Sequence, residues 1–492
     1  MEKQVLGGLE WRVNVPDGTS ELPAPERSYY CKPWLALKGL VGGLVARVLK
    51  FLEKAWALAV LEPKKVIHGI KVGIALSLVS LFYYMRPLYD GVGGNAMWAV
   101  MTVVVVFEHT VGATLCKSIN RATGTFLAGL LGIGVHWVAS QSGEKLEPVI
   151  LGISVFILAS AATFSRFMPS VKARFDYGAM IFILTFSLVS VSGYRVDKLV
   201  GMAHQRLSTI AIGTSLCILI SMFVSPIWAG DELHRLIHGN MEKLAESLEG
   251  CVANYFKDNQ SGHPSEKDNS NKTQAYNCVL NSKATEESMA NFARWEPAHG
   301  PFNFRHPWKE YLKIGALLRN CACCIEALSG CLNSEMQATE HLKEYLKEAS
   351  MAVCSHSCNV LRELSMSVKT TTNSSKLQLS VGEMNFALQE LQNALKSLPT
   401  QLILQQPLAD ESNENKSTTT KERAPPVIGV IPLATLVSLL TEIAARIEET
   451  VDGVVKLAEL AEFKASNEEK IAQNQSASKD QSSDNPSCEA EP

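Results

Sequence analysis

Lys117 and Arg121 stand four residues apart, a spacing that sets both on one face of a helix. Arg206 opens another apolar stretch, Lys172 and Arg174 precede a third, Arg195 follows that one, and Lys71 sits early in a fourth. A charge at the centre of a membrane span costs about 2.5–3.5 kcal/mol on insertion scales, so such residues face a partner or water. An anion in hydrocarbon faces a penalty of roughly tens of kcal/mol. Fixed cations along a watery path offset that penalty, which is why rings of Arg and Lys serve anion pathways. Basic side chains at span ends have a second use, as topology signals that snorkel to the interface, and for any single residue here the two readings compete. Lys117 with Arg121 leans furthest toward function, because the helix starts before them. Glu108, nine residues ahead of Lys117, is their natural counter-ion.

The elements that must hold these cations are apolar and long. Six stretches read as spans, at about 66–85, 96–115, 121–140, 148–165, 177–193 and 207–228. Residues 148–165, 177–193 and 207–228 carry no charged side chain, whereas a water-soluble helix of that length shows a polar face. Lys71 and Glu108 interrupt the first two. Basic residues cluster before the first span and in the second and fourth connections, while Glu144 and Glu147 outweigh Lys145 in the third. This asymmetry puts both termini in the cytosol. Gly124, Ala128 and Gly132 make a small-residue stripe on the third span, suited to close packing within the subunit.

Mean hydropathy is only +0.06 although 47% of the 492 residues are hydrophobic, so a polar half must offset the apolar one. The fold class expected is all-α: a six-helix transmembrane bundle followed by a helical cytosolic domain. Residues 1–61 form a cytosolic N-terminal segment without a signal peptide, with an amphipathic helix over 34–61 lying on the membrane. Residues 62–230 make the membrane domain, 231–465 the cytosolic domain, and 466–492 a disordered tail. Residues 257–273 and 406–425, rich in Asn, Ser, Lys and Thr, read as disordered loops.

Net charge of -3 points to no nucleic-acid partner. Cys321, Cys323, Cys324 and Cys331 crowd one helix, but no second C-x2-C pair answers the first, so buried thiols are expected rather than a metal site. Gly-rich phosphate loop, nucleophile elbow and HExxH are all missing, and neither an enzyme nor a cofactor is expected.

The stretch from Asn95 to Glu108, continuing through Val111-Gly-Ala-Thr-Leu-Cys-Lys117 to Asn120-Arg121, joins Phe175-Asp-Tyr-Gly178, Ser192-Gly-Tyr-Arg195, Pro226-Ile-Trp-Ala-Gly230 and Trp295-Glu-Pro297. Together these closely resemble the plant aluminium-activated malate transporter family, over about residues 62–335 and more loosely beyond. The resemblance implies an anion channel for malate and, in some members, inorganic anions, built as a dimer in the plasma membrane or the vacuolar membrane. It implies that Lys117, Arg121 and Arg206 line the permeation path and that Lys172 and Arg195 serve conduction or gating. Trp295, Glu296 and Pro297 are implied as a structural and regulatory motif; the plainer expectation is a packed turn, with Trp295 buried and Pro297 ending a helix. The connection Tyr194–Lys198 has Asp197 as its one acid, too few oxygen ligands for a hard cation, so no activation by aluminium is expected. A proton-coupled carrier or aromatic-acid exporter is the competing reading, with Glu108 and His109 as its titratable relay.

Overall fold

The structure, a computed structural model, describes residues 32–85, 96–193, 199–256, 274–303, 305–332, 340–404 and 430–464. The loops expected at 257–273 and 406–425, the tail from 466, Arg195 and the 194–198 connection lie outside them. The regular elements among the described residues are α-helices, and no β-strand forms there. The described residues up to Val66 fall in one compact unit and those from Ile67 onward in another. In the first, α1 (Lys32–Leu61) presents Val41, Leu44, Val48, Phe51, Leu52 and Trp56 to the surroundings rather than to a core.

Six apolar helices follow: α2 (Pro63–Tyr84), α3 (Ala96–Val106), α4 (Val111–Gln141), α5 (Glu147–Ser165), α6 (Pro169–Gly193) and α7 (Leu199–Phe223). By length and composition α4, α5, α6 and α7 can each cross a membrane. The second apolar stretch, expected to run to Leu115, instead stops at Val106. Polar Glu108, His109 and Thr110 break it, and Thr110 caps a new helix, its Oγ1 accepting from the Ala113 amide. With 11 residues, α3 rises only about 16 Å, half of a hydrocarbon core.

Helix α4 packs along α6 and α7, and α3 along α7. The small-residue stripe explains the first contact. Gly124, Ala128 and Gly132 are buried, and a Cβ on Gly124 would stand 2.7 Å from the Gly178 carbonyl of α6. Helix α5 leaves its apolar side chains outside: Val149, Ile153, Phe156, Ile157 and Phe164 are all exposed.

The remaining helices are α8 (Ala229–Tyr255), α9 (Tyr276–Leu280), α10 (Lys283–Ala293), α11 (Trp308–Leu332), α12 (Glu340–Thr370), α13 (Leu377–Leu404) and α14 (Ile431–Leu460). They share one core, in which Leu233, Ile237, Leu244, Leu318, Val360 and Ile447 are fully buried. Helix α11 is also apolar enough to cross a membrane. It serves instead as the centre of this bundle, with Tyr311, Ile314, Leu318, Ile325 and Leu328 inaccessible. Its thiols spread around the axis: Cys321 is in the core while Cys323 is exposed, and no group of three metal-ligating side chains occurs among the described residues.

Candidate functional site

The break before α4 decides where the cations stand. Because α4 starts at Val111, Lys117 and Arg121 lie inside a continuous helix rather than at its mouth. The Val111 amide donates at 2.9 Å to the carbonyl of Ile227, in the connection that follows α7, so the start of α4 lies against the segment just past the end of α7. Arg121 is ten residues beyond that start, about 15 Å along the axis; Arg206 is 17 residues before Phe223, about 25 Å along the antiparallel α7. Arg121 and Arg206 line one cavity together with Trp98, Thr125, Ile181, Leu184, Thr185 and Ile210. From sequence the two arginines enter from opposite ends with no common depth assigned; the length of α4 and α7 is what unites them.

Each cation is held differently. Arg121 is 7% exposed and donates from Nη1 to the Tyr177 hydroxyl at 3.0 Å. Lys117 Nζ forms an ion pair with Glu108 and stands 5.7 Å from the centre of the Tyr177 ring. The Arg206 guanidinium lies over the Trp98 indole at 4.4 Å, where the ring face attracts it. Lys172 is exposed on the opening turn of α6 and is not one of the cavity's lining residues. Arg166 and Asp176 make a separate ion pair at 2.7 Å. Lys71, 1% exposed, donates to the Ser225 carbonyl at 2.8 Å just past the end of α7, where a cation suits the exposed carbonyls.

Trp98, Tyr177, Thr125 and Thr185 were not singled out by sequence reasoning. Trp98 and Tyr177 do lie in the Asn95–Glu108 and Phe175–Gly178 motifs. No pattern marks the two threonines, which resemble any small polar residue in a span.

The Trp295-Glu296-Pro297 segment lies in a turn, but its buried residue and the preceding helix end are not those expected. Helix α10 ends at Ala293, ahead of the motif, so Pro297 does not terminate it. Glu296, at 4% exposure, is the buried member, while Trp295 is half-buried. Glu296 Oε1 accepts from the Gly112 amide at 3.0 Å and the Ala229 amide at 2.6 Å, and Oε2 from the Gly230 amide at 3.0 Å. One carboxylate therefore caps the N-termini of α4 and α8 at once, where orphan amides and helix dipoles favour an anion. Burial pushes the Glu296 carboxyl above its ordinary value, and the three amides with His299 act against that. His299 stacks on Trp228 with ring centres 4.0 Å apart. Gly112 and Gly230 permit the approach: a Cβ on Gly112 would collide with the Phe292 carbonyl, and one on Gly230 would stand 2.5 Å from Trp308 Cη2.

The family model described as aluminium activated malate transporter matches residues 56–426. Aluminum-activated malate transporter 10 of Arabidopsis thaliana is 55% identical over 489 residues, covering 96% of this chain and 98% of its own. Aluminum-activated malate transporter 2 of the same plant is 46% identical, covering 85% and 79%. Aluminum-activated malate transporter 1 of Triticum aestivum is 41% identical, covering 87% and 90%.

Proposed function

The chain belongs to the aluminium-activated malate transporter family, a family of transporters and not of enzymes, and from that premise we propose that it is a passive anion channel conducting malate, with inorganic anions as further permeants. The observation that carries the proposal is the cavity shared by Arg121 and Arg206. Two guanidinium groups on facing helices bind carboxylates by charge-assisted hydrogen bonds and can hold both ends of a dicarboxylate. Lys117 extends the positive field toward the start of α4, with Glu108 moderating it. Lys172 acts outside the cavity, on the approach to it. Glu296 with its two glycines ties the conducting helix α4 to the cytosolic bundle, which supports a regulatory role for the Trp295–Pro297 motif.

The channel is an integral membrane protein of the plasma or vacuolar membrane, with both termini cytosolic as the charge asymmetry of its connections favours, and it works as a homodimer. The test is electrical. Reconstituted protein in malate, nitrate and chloride gradients carries a current whose reversal follows the anion gradient alone. Arg121→Glu or Arg206→Glu abolishes that current while the protein still elutes as a folded particle. Wild-type current in both variants removes the pore assignment, and a reversal potential that shifts with pH at fixed anion gradient favours the proton-coupled carrier.

A further inference from the structure

Inside α4 the polar atoms around Arg121 are unsatisfied in a pattern. Arg121 Nε and Thr125 Oγ1 are both shut from solvent and have no hydrogen-bond partner. Thr125 is 5% exposed and lines the cavity beside Arg121 and Arg206. Ser118 Oγ is a third such atom, so unpartnered groups recur at i, i+3 and i+7, one face of the helix.

A threonine in a helix ordinarily returns its hydroxyl to a carbonyl one turn back. Thr102 does so to Trp98 at 2.7 Å, Thr123 to Ile119 at 2.8 Å, and Thr214 to Ile210 at 2.8 Å. Thr125 does not, although the Arg121 carbonyl is the group one turn behind it. A buried hydroxyl and a buried guanidinium N–H left without partners are costly, and such orphans in a cavity call for an explanation. Both are donors, and they stand one turn apart facing the same space.

We propose that Thr125 is a specificity-determining residue of the pore: its hydroxyl and Arg121 Nε–H form a two-donor seat for one carboxylate of an organic anion, with Arg206 across the cavity taking the second carboxylate. The proposal rests on the anion-channel reading. The seat follows from the geometry of a carboxylate, whose two oxygens accept separate directional hydrogen bonds. Chloride, a sphere, gains less from a second directional donor. The hydroxyl therefore selects organic anions over inorganic ones, and the arginines supply attraction to both.

The experiment measures the malate-to-chloride permeability ratio from reversal potentials of the reconstituted full chain, a quantity independent of the amount of active protein. Thr125→Val keeps the side chain's shape and removes the donor; the ratio falls about tenfold, which is about 1.4 kcal/mol of discrimination. Thr125→Ser restores the donor without the methyl group and recovers most of the ratio. An unchanged ratio in Thr125→Val overturns the proposal and leaves the channel reading standing on its arginine variants. An equal fall in Thr125→Ser overturns it also, because packing of the methyl group would then be the cause. Wild-type protein silent to both anions sinks the channel reading and this proposal with it.

Discussion

Glu296 and Gly112 are 184 residues apart in sequence and 3.0 Å apart in space, carboxylate oxygen to amide nitrogen. The same carboxylate takes the Ala229 and Gly230 amides, so one side chain fixes where α4 and α8 begin relative to each other. Glu296→Gln keeps the shape but replaces one acceptor oxygen with a donor that faces an amide. At least one buried N–H is then left unpaired, at about 1–3 kcal/mol. The unfolding midpoint of detergent-solubilised Glu296→Gln should fall accordingly, and anion current should fall with it as α4 loses its anchor. A midpoint equal to wild type would mean that the carboxylate contributes nothing to the junction.

His306 sets a pH window for the bundle formed by α8 to α14. Burial pushes its pKa down from 6.5 to about 4, with His234 and His299 adding like charge in the same direction. Its Nε2 lies 3.2 Å from the Tyr311 hydroxyl, which His234 Nδ1 meets at 3.0 Å, and Trp308 and Phe302 pack on its ring. Between pH 6.5 and about 4 the unfolded chain binds a proton that the folded one refuses, so stability falls as pH drops through that window and is unaffected above it. Burial lowers His234 and His238 as well, so they steepen the same slope. Unfolding midpoints measured from pH 7.5 to 4.5 should decline less steeply in His306→Gln than in wild type; parallel curves would refute the assignment.

The all-α class was legible from uncharged runs of span length and from three-to-four-residue periodicity elsewhere, because both patterns follow from burial alone. The close packing of Gly124, Ala128 and Gly132 was legible as a stripe of small residues, but that its partner is α6 is specified only by the fold. The end of α3 at Val106 was harder to see. Val103–Val106 and Val111–Leu115 flank a polar interruption at Glu108–Thr110 short enough to be spanned by one helix, and the capping geometry of Thr110 is what shows that the helix ends there. Hydropathy averaging also cannot distinguish α11, whose apolar faces meet other helices, from a helix whose apolar faces meet lipid. The site was half legible. Charge in an apolar helix marks Lys117, Arg121 and Arg206, but Thr125 and Trp98 join the cavity through what stands opposite them, which only the fold specifies.

Glu108 separates the two transport mechanisms by the sign of its effect. It pairs with Lys117, and both side chains are about a third exposed, at 37% and 30%. A pair so exposed contributes about 0–1 kcal/mol, so Glu108→Gln should leave the unfolding midpoint nearly unchanged. The charge it removes is worth more to a passing anion than to the fold. With Lys117 uncompensated, the potential along α4 toward Arg121 becomes more positive, and malate current at low ionic strength should rise severalfold. The gain should shrink as salt shortens the Debye length from about 30 Å at 0.01 M to about 8 Å at 0.15 M. A proton-coupled carrier predicts the opposite, since a relay without its carboxylate cannot load or release a proton and Glu108→Gln would abolish transport. Current rising in low salt and converging on wild type in high salt identifies Glu108 as a counter-ion to the path; current lost at every salt concentration identifies it as part of a relay.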